Sequence, residues 1–228
     1  MIRLFDDEYG FISPGLFIPA AEQSGAIHAI GDFVFEDVCK FIYNNRIRDY
    51  GLDYIEVNLS VAQCIEPDLA RKVMDIINKF GLPTNLLNIE ITETAVDYDN
   101  DLTNENIEIL SRLGFKFSLD DYGTGYSNNK RLVQMPMDLV KLDKSFVDEI
   151  ADENMVVVLE RTIAMLKKLN KKILIEGVET KEMLDKFVEL GCDYIQGFYY
   201  SKPLPEDEFI RFIDSYNNQI KINNSVTE

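Results

Sequence analysis

The chain has 228 residues, 46% of them hydrophobic and 28% charged, with a formal net charge of −17. That length suits a single α/β barrel domain. No apolar run reaches membrane-spanning length and Met1 opens no signal-peptide pattern, which leaves the cytoplasm, or the cytoplasmic portion of a longer protein, as the expectation; the negative field opposes nonspecific binding to DNA, RNA or anionic membrane.

The N-terminus holds a fragment of extended character, Ile2 to Phe5, and an acidic turn at Asp6-Asp7-Glu8. Ile12-Ser13-Pro14-Gly15 reads as a turn, with Ile18-Pro19 opening a helix through Ala20, Ala21 and Glu22. His28 is the single histidine, which excludes chemistry built on several histidines; between Ile27 and Ala29 it reads as a packed or surface residue. From Gly31 to Ile47, Phe33, Val34, Val38, Phe41 and Ile42 recur at helical spacing, and basic residues suited to the dipole close the segment. Cys39, Cys64 and Cys192 are odd in number and far apart, as reduced core cysteines are.

Beyond residue 50 the pattern becomes regular: a short apolar strand ending in a polar residue, a loop, then an amphipathic helix. Strands are expected over 54–59, 87–91, 116–119, 139–142, 172–175 and 194–197, with helices over 67–80, 104–113, 152–169, 181–190 and 205–220. Such alternation implies parallel strands joined by right-handed crossovers, which either an open doubly wound sheet or a closed barrel satisfies. The strand-end residues favour the barrel: Asn58, Glu90, Asp120 with Asp121, Lys141 with Asp143, Glu176 and Gln196. A barrel gathers such groups from many strands on one mouth, whereas an open sheet concentrates its site at one switch point. The domain is expected to span residues 1–216, with 217–228 a frayed tail.

The stretch Lys116 to Ser127 is the focus of the pattern. A strand with Phe115, Phe117 and Leu119 alternating runs into Asp120-Asp121 and the glycine-spaced Gly123-Thr124-Gly125. Adjacent carboxylates at a strand end repel and lose hydration, and a hard divalent cation compensates them; a helix cap or turn is the plainer alternative. For Glu90 and Glu93 the plainer alternative is a solvated strand-to-helix connection or a helix start, and Asp120 in register on the next strand favours metal ligation over it, while Asn58 could cap the helix after Ser60. The glycine spacing lacks the third glycine of a dinucleotide fingerprint, and Ser127 has no histidine partner for nucleophilic work.

Together, Asn58-Leu59-Ser60, Glu90-Ile91-Thr92-Glu93, Asp120-Asp121-Tyr122-Gly123-Thr124-Gly125-Tyr126-Ser127, Lys141-Leu142-Asp143, Glu176-Gly177-Val178-Glu179-Thr180 and Gln196-Gly197 resemble the EAL domain family, as does the opening Ile12 to Pro19. The likeness runs from about Arg3 to Phe209. It implies a TIM-like (β/α) barrel that hydrolyses the bacterial second messenger cyclic di-GMP to linear pGpG with two magnesium or manganese ions. Residue by residue, it implies that Asn58, Glu90, Asp120 and Asp121 hold metal, while Lys141, Glu176 and Gln196 act on the attacking water and phosphate. Glu93 would brace the 121–127 loop, and Arg3 would contact a substrate phosphate.

The departure lies at the start. Met1 occupies the leucine position of the namesake Glu-Ala-Leu, so the glutamate that ligates metal in the family has no counterpart here, nor have the first strand and most of the second. Two explanations fit: a fragment of a longer signalling protein with an upstream sensor or cyclase domain, or a degenerate domain kept to bind cyclic di-GMP or another protein. Missing strands leave sheet edges exposed, which predicts a homodimer or other self-association.

Overall fold

The structure is a computed structural model that describes residues 2–93, 101–124 and 129–226. The part of the glycine-spaced turn from Gly125 to Ser127 lies outside the described residues.

A hairpin opens the chain: β1 (Leu4–Asp6) and β2 (Gly10–Ile12) pair antiparallel, with Phe5 opposite Phe11. The expected acidic turn joins them, because the Asp6 carboxylate accepts the N–H groups of Glu8 and Tyr9 at 2.9 and 3.0 Å. The helix expected from Ile18 instead starts at Pro14, giving α1 (Pro14–Ser24). Proline at the first helical position loses nothing, since that N–H has no partner in any helix, while Pro19 forgoes one bond inside it.

The next helix, α2 (Ile27–Asn45), begins four residues earlier than expected and buries Ile27, Gly31, Phe35, Cys39 and Ile42. Phe33, expected in that stripe, faces outward at 61% exposure. The segment expected as one helix over 67–80 is α4 (Leu69–Phe80), preceded by the single turn α3 (Val61–Cys64). Ser60 caps α3: its hydroxyl accepts Gln63 N–H, and the Gln63 side chain accepts Ser60 N–H, a reciprocal capping box. Asn58 is therefore not needed as the cap.

Six parallel strands form the sheet in sequence order: β3 (Ile55–Asn58), β4 (Leu87–Thr92), β5 (Lys116–Tyr122), β6 (Leu139–Leu142), β7 (Lys172–Ile175) and β8 (Tyr194–Ile195). Between them run α5 (Asp101–Arg112), α6 (Asn129–Gln134), α7 (Ser145–Asp148), α8 (Glu153–Lys168) and α9 (Lys181–Leu190). The α/β architecture is a curled half-barrel of the TIM type, with its core between the strands and the helices. Ile89, Ile91, Phe117, Leu119, Val140, Leu142, Ile173 and Ile175 face that core and meet Val73, Ile77, Ile107, Leu110, Leu159, Ile163, Leu166 and Phe187. Each such side chain contributes roughly 1.5–3 kcal/mol through removal from water.

Alternation along the pleat sends the other set of residues to the concave face. Register aligns Glu56 with Asn88, Asn58 with Glu90, Glu90 with Ser118, and Thr92 with Asp120. Among the described residues the sheet ends at β3 on one side and β8 on the other, each with one partner strand. The last helix, α10 (Glu206–Val226), continues past residue 216 and crosses to the first half of the chain. Phe209 meets Phe41 with ring centroids 6.2 Å apart, Asn45 donates to Glu206 at 3.1 Å, and Asn217 donates to the Tyr50 carbonyl at 2.8 Å. The helical layer thus connects the two flanks that the strands leave open.

Candidate metal centre

The C-terminal ends of the strands bring four charged side chains to one point. Glu90 on β4, Asp120 on β5 and Glu176, one residue past β7, offer carboxylate oxygens all within 4.8 Å of one another. Lys141 on β6 lies in their midst: its ammonium donates to Glu90 Oε1 and stands 2.8 Å from Glu176 Oε1 and 3.1 Å from Asp120 Oδ1. Glu90 and Lys141 are buried, while Asp120 and Glu176 are half-buried. Strand extension holds these positions, since Glu176 N–H bonds to Leu142 O at 3.1 Å and Gln196 N–H to Ile175 O at 2.9 Å. The Gln196 amide then donates to Glu176 Oε1 at 3.0 Å.

Three carboxylates around one ammonium leave the cluster short of positive charge, and protonation reflects it. Burial pushes the Glu90 carboxyl above the ordinary carboxylate range, the Lys141 ammonium pulling against it and Asp120 adding to the rise. Glu176 is also raised, first by burial, with Lys141 again opposing. Burial works against the Lys141 charge, yet Glu90, Asp120 and Glu176 hold its pKa above the usual lysine value. Asp120 Oδ1 is buried and has no hydrogen-bond partner with proper alignment, although the ammonium is near. An all-oxygen set with surplus negative charge and an unsatisfied buried acceptor fits a hard divalent cation.

Asp121, beside Asp120, is a non-glycine residue at φ 56°, a conformation that costs about 1–3 kcal/mol. It breaks the pleat where the β5–β6 register shifts, between Leu119 and Tyr122. Its carboxyl is raised by burial, then by Asp120 and Asp143. Glu93 is buried, and its Oε2 accepts Gly123 N–H at 3.3 Å, so it holds the beginning of the turn after β5. Asn58 is exposed at the end of β3, in register with Glu90. Arg3 is exposed in the N-terminal segment, with a bond to the Ile2 carbonyl; among the described residues no hydrogen bond or ion pair joins it to the cluster.

Two features carry no mark in the sequence motifs. Beneath the cluster, Ser118 donates to Glu56 Oε1 at 2.8 Å and Asn88 donates to Ser118 at 2.7 Å and to Glu56 at 3.3 Å. A signal for this layer exists in the spacing: Glu56, Asn88 and Ser118 each stand two residues before Asn58, Glu90 and Asp120, hence on the same face. Beside Glu176 and Gln196 lies a cavity of about 590 Å³, lined also by Phe198, Lys144, Lys202 and Phe212. The Lys202 ammonium sits 5.6 Å from the centre of the Phe198 ring. Phe198 and Lys202 come from the β8–α10 connection, whose course no local pattern specifies.

The EAL domain family model matches residues 1–203. Oxygen sensor protein DosP of Escherichia coli (strain K12) is 34% identical over 217 residues, covering 94% of this chain and 27% of that protein. The bifunctional diguanylate cyclase/cyclic di-GMP phosphodiesterase MucR of Pseudomonas aeruginosa is 32% identical over 211 residues, covering 92% of this chain and 31% of that protein. Among solved structures, the PaMucR phosphodiesterase in complex with c-di-GMP superposes with a TM-score of 0.85 at 33% identity, covering 91% of this chain and 84% of that one. The chain therefore spans about a third or less of these curated relatives.

Proposed function

The chain belongs to the EAL domain family, and from that premise we propose that it is a metal-dependent phosphodiesterase that converts cyclic di-GMP to linear pGpG in bacterial second-messenger signalling. One observation carries the proposal: Glu90, Asp120 and Glu176 converge on Lys141 at the strand ends, beside a cavity of nucleotide size.

Glu90 and Asp120, with Asn58 and Asp121 at the rim, are the residues that would hold two magnesium or manganese ions. Bound there, such ions neutralise a phosphodiester and acidify a water. The chain's own groups supply the rest. Glu176, raised above the ordinary carboxylate range, is suited to take a proton from the attacking water. Gln196 orients Glu176 through its 3.0 Å bond. Lys141 supplies positive charge to the phosphate as water adds to phosphorus and one ester P–O bond breaks, opening the ring, the leaving oxygen taking a proton from solvent to become a hydroxyl and Glu176 returning its own to solvent. Glu93 braces the turn after Asp121, and Arg3 would reach a substrate phosphate only if the N-terminal segment lies against the mouth. Lys144 and Lys202 offer further charge, and Phe198 an exposed ring, along the cavity wall.

A second function is suggested by the two sheet edges with one partner each. It is a module that binds cyclic di-GMP or a protein without cutting, self-associating through those edges or working beside a sensor or cyclase domain in a longer, cytoplasmic chain. Calorimetry with cyclic di-GMP and manganese, followed by chromatography of the same sample, separates the two. Linear product supports the enzyme; retained cyclic ligand supports the module; no heat sinks both ligand-based readings.

A further inference from the structure

We propose that Glu56, Asn88 and Ser118 are positioning residues for the metal centre: their closed ring of hydrogen bonds ties the edge strand β3 to β5 and so places Asn58, two residues further on, beside Glu90 and Asp120. The inference rests on the metal-site reading above and adds to it what fixes the ligand on the outermost strand.

The ring is complete in its own hydrogens. The Ser118 hydroxyl donates to Glu56 Oε1 at 2.8 Å, and the Asn88 amide donates to Ser118 Oγ at 2.7 Å and to the same Glu56 oxygen at 3.3 Å. An ionised carboxylate can only accept, so the amide must turn its nitrogen toward the ring. Its oxygen, Asn88 Oδ1, is left buried with no hydrogen-bond partner among the described residues. That orientation costs folding free energy, and the ring holds it nonetheless. Ser118 is fully buried and Asn88 is 1% exposed, so water does not compete for these bonds.

The bond from Ser118 to Glu56 skips a strand. Neighbouring strands lie about 4.8 Å apart, so β3 and β5 are about 9.6 Å apart, and the contact depends on the curl of the sheet and the reach of the glutamate. Among the described residues β3 has β4 as its one partner. Ladder bonds to β4 fix its register, with Asn58 level with Glu90, but the angle between neighbouring strands ranges over roughly 10–35°. A side-chain tie to β5 narrows that angle. Asn58, Glu90 and Asp120 each follow a ring member by two residues, one pleat repeat of about 6.6 Å. The residues between, Val57, Ile89 and Leu119, are buried in the core, so each strand end moves with its ring member. Glu90 and Asp120 are held also by Lys141, whereas Asn58 is exposed and has no such anchor among the described residues.

The test uses the full chain and manganese chloride as the probe, with titration calorimetry run below the melting temperature of every variant. Ser118→Ala breaks the ring with little change in volume and none in charge. It is expected to weaken manganese binding at least about tenfold. In an Asn58→Ala background the same change is expected to cost less than about twofold, because two residues acting through one ligand do not add. Glu56→Gln keeps the accepting oxygen and is expected to bind manganese as the native chain does, which separates placement from charge. Native manganese affinity in a folded Ser118→Ala, with only the melting temperature lowered, overturns the inference. So does a loss that persists undiminished in the Asn58→Ala background, or a Glu56→Gln as weak as Ser118→Ala. In each of these the metal-site reading stands. Where Ser118→Ala does not fold, Glu56→Ala, at a half-buried position, takes its place in the same cycle. If the native protein binds no manganese, the metal-site reading fails and the placement of Asn58 with it.

Discussion

At the scale of single residues, the centre works through a mismatch between donors and charge. Replacing Glu90 by Gln, or Asp120 by Asn, keeps size and most hydrogen bonding but removes a charged ligand. Turnover of cyclic di-GMP is expected to fall below detection while circular dichroism and melting behaviour stay close to native; undiminished hydrolysis in either variant would remove these residues from the site. Gln196→Ala takes away the group that orients Glu176, and a loss of about 10–100-fold in turnover is expected, read in the same assay. The pH dependence follows from Glu90 and Glu176, both raised by burial above the ordinary carboxylate range of about 4.3. A carboxyl that holds its proton more firmly when folded stabilises the fold most at low pH, and that contribution fades as pH rises through the raised value. Metal binding runs the other way, since it requires the ionised form and releases the proton. Manganese affinity should therefore climb between about pH 5 and about pH 8, with proton release detectable as a calorimetric heat that varies with buffer ionisation enthalpy. A pH-independent affinity would contradict the assignment.

At the scale of elements, close backbone approach explains a dipeptide that is weak as a motif. A methyl group on Gly197 would lie 2.0 Å from the Val178 carbonyl oxygen and 2.4 Å from the Val178 nitrogen, both rigid backbone atoms. Gly197→Ala must push the start of the β8–α10 connection away from the β7–α9 connection. A loss of about 1–3 kcal/mol in unfolding free energy is expected from denaturant titration, together with reduced turnover as Gln196 leaves Glu176. Gly31 is a milder case, because the clash there is with the Gln63 side chain, whose far end can move. That movement breaks the capping box with Ser60 at the end of β3, so Gly31→Ala should cost about 1 kcal/mol. The element pattern itself is legible in the sequence: six strand positions stand out through apolar runs bounded by polar residues. Helix starts are less so. Pro14 reads as a turn because proline marks both turns and first helical turns, and Phe33 joins the expected stripe because an aromatic at helical spacing does not reveal which flank a neighbour covers.

At the scale of the whole molecule, a parallel sheet that among the described residues has one partner strand at each edge is an unusual thing to leave in water. The α10 contacts to α2 and the segment at residues 47–50 join the helical layer across that opening, so Phe209→Ala should loosen the first half of the chain against the last and lower the melting temperature. The open edges also lead to the expectation of a dimer or larger species at micromolar concentration by light scattering, and a clean monomer would argue that the edges are covered within one chain. Strand alternation, the polar residue closing each strand and the family likeness were all determined by the sequence alone. So were the acids and the lysine of the centre, because each sits at a position whose period and punctuation are local. Only the tertiary structure decided that Lys141 stands among all three carboxylates, that Glu56, Asn88 and Ser118 form a second polar layer beneath them, and that Phe198 and Lys202 line the cavity wall. Those facts depend on the curl of the sheet and the path of the chain after β8, set by long-range packing that no window of sequence contains.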